Sequence, residues 1–358
     1  MKKIYYYLLI TAVSVLSSCS KKGDVPKPPM PPSGSKDVYV VGWQTSADGN
    51  HSLAKLWKNG VATTLNEVTS VNDAAVANSV YVSGNDVYVT FNENGIPKLW
   101  KNGTATALSD GSKQITVTSV SVHDTDVYLG GQEGNAYYNF AKLWKNGVVQ
   151  TIATGFAAVP TDQSLVYTSG NDVYVLFQTT DQSDFRFTEL WNNGVITKPL
   201  VTGNPDAHAA SIFVKDTSVY IGGYTTSNSA GNNLQYFATI WKNTVAMPLT
   251  DGSVHYAVVY SVFVSGDDVY AVGVERKSAN SFNVATLWKN GVATALTNGT
   301  TPAYAYSVFV SDKDVYVAGA ESTRGAYAFA VAKIWKNGVA VDLADGTRLG
   351  EALAVFVK

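Results

Sequence analysis

One stretch, Ala285-Thr286-Leu287-Trp288-Lys289-Asn290-Gly291-Val292-Ala293-Thr294-Ala295-Leu296, recurs seven times along the chain, and its period limits the fold more than any other feature. Tryptophans mark the copies at Trp57, Trp100, Trp144, Trp191, Trp241, Trp288 and Trp335, with spacings of 43, 44, 47, 50, 47 and 47 residues. Trp43 alone lies outside this pattern. A chain made of copies of one such unit buries its apolar faces by stacking each unit on its neighbours.

Within a unit, four short runs rich in Val and aromatics are bounded by Gly, Asn and Asp, which reads as four strands, a to d in order. In the sixth copy these are Ser261 to Val264, Asp268 to Gly273, Ala285 to Trp288 and Val292 to Leu296. The c–d link is an Asn-Gly pair in six copies, from Asn59-Gly60 to Asn337-Gly338. A two-residue type I′ hairpin needs positive φ at both central residues, which Asn-Gly tolerates best. The fifth copy has Asn243-Thr244, so that hairpin is expected to be a different turn or a strained one. Both faces of each unit are apolar, with Val262 and Val264 facing one way and Phe263 the other, as a sheet wedged between two others requires.

Four-stranded antiparallel units of this length point to a β-propeller. The first copy begins at strand b, with Asp37-Val38-Tyr39-Val40-Val41-Gly42, and has no strand a before it. The last residues, Leu353-Ala354-Val355-Phe356-Val357, match strand a of the other copies. The expected fold is therefore all-β, a seven-bladed propeller over residues 37–358 whose ring is closed by the C-terminal strand pairing with the N-terminal b, c and d strands. The chain resembles seven-bladed β-propeller repeat proteins in this respect. Leu-Trp-Lys-Asn-Gly is also faintly similar to the Trp-ending strand of WD repeats, but their Gly-His signature is missing.

Ahead of the repeats, Met1-Lys2-Lys3 is basic and Ile4 to Leu16 is an apolar run of 13 residues, too short to span a bilayer and suited to a secretory signal. It ends in Leu16-Ser17-Ser18-Cys19, which resembles a bacterial lipobox. That resemblance implies a signal peptide over residues 1–18, palmitate-type acylation of Cys19 and a lipid-anchored lipoprotein; Ser20 after the cysteine implies the outer membrane of a Gram-negative cell envelope. Cys19 is the only cysteine, so no internal disulfide can form. Residues 19–36 read as a Pro-rich tether, either polyproline II reaching up to roughly 50 Å or plain disorder. The net charge is −2 and no basic stripe occurs, which excludes nucleic acid as a natural partner.

The a–b and c–d turns are short and uniform, while the b–c and d–a links vary, so the variable face is where binding is expected. Its candidate ligand-binding aromatics are Trp43, Tyr137, Tyr138, Tyr224, Tyr236, Tyr256, Tyr304 and Tyr327, read as loop residues that either pack their own loops or contact a protein or glycan. Tyr260 and Tyr306 read instead as gap fillers near the channel. His208 and His255 lie in adjacent d–a links and could approach one another, yet a metal site needs further ligands. Asp37, Asp86, Asp126, Asp172, Asp268 and Asp314 precede Val-Tyr in six copies, so they are turn residues rather than catalytic ones. Glu133, Asp184, Glu275 and Glu321 could supply a carboxylate pair for a polysaccharide-acting enzyme, though nothing singles out two of them. No nucleophile elbow, phosphate loop or calcium loop occurs, and no cofactor is expected. The expected role is a non-catalytic binding or scaffold module; the alternatives are a polysaccharide-acting enzyme with its site at the channel mouth and a purely structural envelope protein.

Overall fold

The computed structural model describes residues 36–67, 73–134, 139–154, 164–180, 186–197, 207–229, 233–324, 330–343 and 348–358. The expected leader, Cys19 and the tether as far as residue 35, together with Tyr137, Tyr138, Tyr327 and Asp184, lie outside them.

The first repeat supplies β1 (Val38–Thr45), β2 (Ser52–Lys58) and β3 (Val61–Thr64). The second gives β4 (Ala75–Ser83), β5 (Asp86–Glu93), β6 (Ile96–Lys101) and β7 (Thr104–Ala107). The third gives β8 (Gln114–His123), β9 (Asp126–Gly134), β10 (Asn139–Lys145) and β11 (Val148–Thr154), and the fourth β12 (Leu165–Ser169), β13 (Asp172–Thr180), β14 (Arg186–Asn192) and β15 (Val195–Thr197). The fifth gives β16 (Ala207–Lys215), β17 (Ser218–Ser229), β18 (Asn233–Lys242) and β19 (Val245–Pro248), and the sixth β20 (Tyr256–Ser265), β21 (Asp268–Arg276), β22 (Val284–Lys289) and β23 (Val292–Ala295). The seventh gives β24 (Ala303–Ser311), β25 (Asp314–Ser322), β26 (Ala330–Lys336) and β27 (Val339–Asp342), and β28 (Gly350–Val357) ends the chain.

Among the described residues these strands form five four-stranded sheets and one eight-stranded sheet, which is the arrangement of a β-propeller. The larger sheet is the fifth and sixth repeats joined by one parallel bridge, Tyr236 to Tyr256. One sheet has the order β28-β1-β2-β3, with Val38 opposite Val357 and Val40 opposite Val355. Asp37 and Lys358 exchange backbone hydrogen bonds of 2.8 and 2.9 Å. Lys36 Nζ lies beside them, bonded to Ser311 Oγ and Asp312 in the a–b turn of the seventh repeat.

Apolar clusters fill the spaces between adjacent sheets. Leu176 and Leu190 of the fourth repeat pack on Ile212, Ile221 and Trp241 of the fifth. Val38, Val40 and Trp57 pack with Tyr316, Ala332 and Ile334 of the seventh repeat and with Val355 and Val357 of β28. The strand-c indoles Trp57, Trp241, Trp288 and Trp335 are exposed by 1% or less, which makes them the largest fillers of these spaces.

The Asp-Val-Tyr and Trp-Lys-Asn-Gly signatures form one clasp. In the sixth repeat Asp268 accepts from Asn290 Nδ2 at 2.7 Å, pairs with Lys289 at 2.7 Å and receives the Tyr270 hydroxyl at 3.3 Å. Asn290 Oδ1 in turn accepts the Val269 N–H at 2.8 Å, and Lys289 lies over the Tyr270 ring. The same set recurs at Asp37, Asp86, Asp126 and Asp314. These aspartates are structural, as their repetition implies. In the fifth repeat Ser218 replaces the aspartate, yet Asn243 Oδ1 still accepts from Val219 N at 2.8 Å. That turn is not of another type: Asn243 and Thr244 have φ of 48° and 75°, so a β-branched residue carries the strain that glycine relieves elsewhere.

The inner strands are tied to each other across the sheet boundaries. The hydroxyls of Ser79, Ser119, Ser211, Ser261 and Ser307 accept the backbone N–H of Val120, Val166, Val262, Val308 and Val355 on the next inner strand, at 2.8–3.2 Å. Two residues further along each strand lies an arc of rings. Tyr81, Phe356, Phe309, Phe263, Phe213 and Tyr167 follow one another at centroid separations of 4.7–5.3 Å.

Candidate functional site

The site begins with a fault in the inner strands. Their pairing with strand b slips by one residue between Ala77 and Ser79, Val117 and Ser119, Ala209 and Ser211, Val259 and Ser261, and Ala305 and Ser307. Each β-bulge leaves one extra residue, re-aimed out of the ladder: Asn78, Thr118, Ala210, Tyr260 and Tyr306. A glycine on strand b makes room for the bulged backbone in several repeats. A Cβ on Gly273 would stand 1.8 Å from the Val258 carbonyl oxygen, and one on Gly319 would stand 2.0 Å from that of Tyr304. Tyr260 and Tyr306 are therefore more than gap fillers, because the bulges bring them into a cluster of aromatics.

That cluster runs over the ends of four adjacent repeats. His208 stacks on Tyr224, with centroids 4.5 Å apart and planes at 11°. Tyr224 meets Tyr236 at 5.3 Å, and Tyr236 meets Tyr256 at 4.7 Å. The Arg276 guanidinium lies 5.0 Å from the centre of the Tyr256 ring. Tyr260 meets Tyr306 at 5.6 Å, and Tyr306 is stacked with Tyr304 at 5.6 Å and 7°. Beyond them Glu351, on β28, accepts from the Tyr306 hydroxyl and from Trp43 Nε1, both at 3.3 Å. All of these side chains are half-buried. Burial, then the neighbouring Tyr256, pushes the Tyr260 phenol far above the ordinary tyrosine range; burial, then the Glu351 charge, does the same to Tyr306. Both stay neutral and keep their hydroxyl protons.

Of the sequence-derived candidates, the structure gathers Trp43, Tyr224, Tyr236, Tyr256 and Tyr304 at this mouth. They are strand residues, however, not loop residues. Around Tyr224 and Tyr236 the chain is mostly ribbon: β17 and β18 continue pairing from Tyr224 opposite Ala238 to Ser229 opposite Asn233. The run of β-branched Thr225 and Thr226 favours this extension. The sequence reading had Tyr260 and Tyr306 only as gap fillers near the channel and missed the bulges and Glu351; the strand-b glycines were the bulges' one trace.

The second, third and fourth repeats carry polar side chains at the corresponding strand positions. Asn92 bonds both the N–H and the carbonyl of Val117, at 3.1 and 2.9 Å, and Asn78 Nδ2 donates to the same carbonyl at 3.0 Å. Gln178 Nε2 donates to the Ala209 carbonyl at 3.2 Å.

The carboxylates read as unique are not. Glu93, Glu133, Glu275 and Glu321 occupy the same position of strand b. Glu93 pairs with Lys98, Glu133 with Lys113 and Lys142 at 2.7 Å each, and Glu321 with Lys333 at 3.4 Å. Strand-c lysines thus hold Glu93, Glu133 and Glu321 in ion pairs, with Lys113 ahead of β8 adding a second partner at Glu133. At Glu275 the matching lysine is Thr286, and burial pushes its carboxyl up. His208 is engaged with Tyr224, and His255 donates its backbone N–H to the Arg276 carbonyl at 3.0 Å. Among the described residues no group of three or more metal-ligating side chains forms.

No family model matches the chain, and no curated protein resembles it in sequence. Solved structures do resemble it. A puromycin-hydrolysing peptidase of Mycobacterium tuberculosis matches with a TM-score of 0.52 at 10% identity, over 88% of this chain and 53% of that one. An acylaminoacyl peptidase of Pyrococcus horikoshii matches with a TM-score of 0.52 at 12% identity, over 86% of this chain and 51% of that one. A polysaccharide lyase matches at 0.47 and 11% identity, over 86% and 88%. The chain spans about half the length of the two peptidases, and the likeness is one of fold: repeated four-stranded sheets arranged as a β-propeller.

Proposed function

We propose that the chain is a carbohydrate-binding propeller whose site is the aromatic mouth. The observation that carries this is the continuous run from Tyr224 through Tyr236 to Tyr256, half-buried tyrosines in van der Waals contact. Sugar rings have one apolar face that stacks on such platforms, while their hydroxyls take hydrogen bonds from phenols and amides. A tyrosine-rich strip on repeats that also carry Asn and Gln amides suits that ligand. The test is a glycan-array screen of the full chain, repeated with Tyr236→Ala and Tyr256→Ala. A saturable signal that falls at least about tenfold in both variants supports the reading, a loss worth about 1.4 kcal/mol. A signal unmoved by either variant sinks it.

A second reading, action on a polysaccharide at the same mouth, draws on the Glu351 carboxylate sharing a hydrogen bond with the Tyr306 phenol. Chain cleavage of a bound glycan, lost in Glu351→Gln, would favour it.

The larger assembly is part of the proposal. Seven blades form a closed ring in which β28 completes the blade of β1, β2 and β3; the β28–β1 pairing and the cluster linking the first and seventh repeats support this. The chain is exported and lipid-anchored through Cys19, probed by metabolic labelling with a palmitate analogue in wild type and Cys19→Ala.

A further inference from the structure

Arg276 differs from most strand cations of the fold. Most strand lysines are committed: Lys58, Lys101, Lys145, Lys289 and Lys336 to clasp aspartates, and Lys98, Lys142 and Lys333 to strand-b glutamates. Among the described residues no carboxylate forms an ion pair with Arg276. Its backbone pairs with Tyr256 across β20 and β21, its guanidinium lies over the Tyr256 ring, and its buried Nε makes no hydrogen bond. A guanidinium held against a ring, with donor capacity unspent, is set up to receive an oxyanion in the plane of its N–H groups. Its sequence neighbour Glu275 projects to the other side of the strand by alternation. The carboxylate of this mouth, Glu351, sits at its far end on β28 and is already held by Trp43 and Tyr306. The mouth therefore has a cationic end beside Tyr256 and an anionic end beside Tyr306.

We infer that the ligand is an anionic saccharide, bound with a ring on Tyr236 and Tyr256 and its carboxylate or sulfate on Arg276. This rests on the carbohydrate reading above and adds the ligand's charge and its polarity along the mouth. An uncharged sugar offers Nε only a neutral hydroxyl oxygen and leaves the guanidinium charge uncompensated. An anion accepting from it gains a charge-assisted bond, which lysine would supply without the planar fork.

The experiment is calorimetric titration of the full chain with three defined oligosaccharides of equal length: a polyuronate, a sulfated neutral-backbone chain and the unsulfated parent. The expected result is that one or both anionic ligands bind at least about tenfold tighter than the parent, with the advantage shrinking as salt is raised. The uronate and sulfate arms identify which group is read. Arg276→Gln should abolish the preference and Arg276→Lys should restore part of it, with thermal melting as the control for folding. Equal binding of all three by wild type overturns this inference and leaves the carbohydrate reading standing. A preference that survives Arg276→Gln also overturns it. No binding by any of the three, alongside a silent glycan array, overturns both.

Discussion

Trp43 and Glu351 stand 308 positions apart in the chain, and the indole Nε1 of one donates to the carboxylate of the other at 3.3 Å. The contact exists because the last strand lies against the first. Deleting Leu353 to Lys358 would remove the buried Val355 and Val357 and uncover Val38, Val40 and Trp57. Each buried aliphatic side chain is worth about 1.5–3 kcal/mol. The loss is therefore comparable to the whole stability of many domains, about 5–15 kcal/mol. The truncated chain should melt far below the full one or without a cooperative transition, as followed by circular dichroism. A matching melting curve would show that the strand is dispensable.

Thr244 holds φ of 75° in the turn where six other repeats place glycine. Thr244→Gly should stabilise the protein by about 1 kcal/mol, since a β-branched residue pays more for this conformation than glycine does. Gly291→Thr, the reverse change one repeat later, should destabilise by a similar amount. Urea denaturation midpoints measure both.

The clasp aspartates make the fold sensitive to acid. Hydrogen bonds from lysine and asparagine hold Asp86, Asp126, Asp268 and Asp314 below the ordinary carboxylate range. A carboxyl whose folded pKa is depressed contributes stability above its unfolded pKa of about 3.9, and that contribution is lost as pH falls through the folded value. Melting temperature should therefore drop on acidification below about pH 4. Ser218→Asp should install the missing clasp beside Lys242 and Asn243, raising the melting temperature at pH 7 but not at pH 2.

Glu275 should behave oppositely. Burial raises its folded pKa, so the folded state binds its proton more tightly and the site loses stability as pH rises from the unfolded pKa through the folded one. Glu275→Gln should raise the melting temperature at pH 7 and leave it unchanged near pH 4. Thr286→Lys, which recreates the pairing of Glu321 with Lys333, should also raise it at pH 7. A drop in either variant at pH 7 would show that the Glu275 carboxylate is stabilising where it stands.

The period of the tryptophans and the Asn-Gly pairs made the four-strand units and their hairpins legible, because both follow from local chemistry at fixed offsets. The pairing of β28 with β1 was legible for the same reason: a strand missing at one end of the chain was present at the other. The site was legible only in part. Trp43, Tyr224, Tyr236, Tyr256 and Tyr304 stood out as aromatics beyond the repeat pattern. Tyr260 and Tyr306 were legible only as gap fillers, since a bulge is a matter of register and adds no residue type of its own. The glycine at Gly273 and Gly319 was the available signal: it is needed where a neighbouring carbonyl crowds the Cβ position. Glu133 and Glu321 were misjudged because their lysine partners lie on another strand, and only the pairing of strands b and c brings the charges together.

The position of Lys36 carries one more consequence. It sits at the a–b turn of the seventh repeat, beside Ser311 and Asp312, while Tyr256, Tyr304 and Glu351 occupy the opposite ends of the same sheets. Lys36, the first described residue, therefore lies on the side of the sheets away from the aromatic mouth. Anything coupled at Lys36 itself would stand on the far side of the sheets from Tyr256, Tyr304 and Glu351.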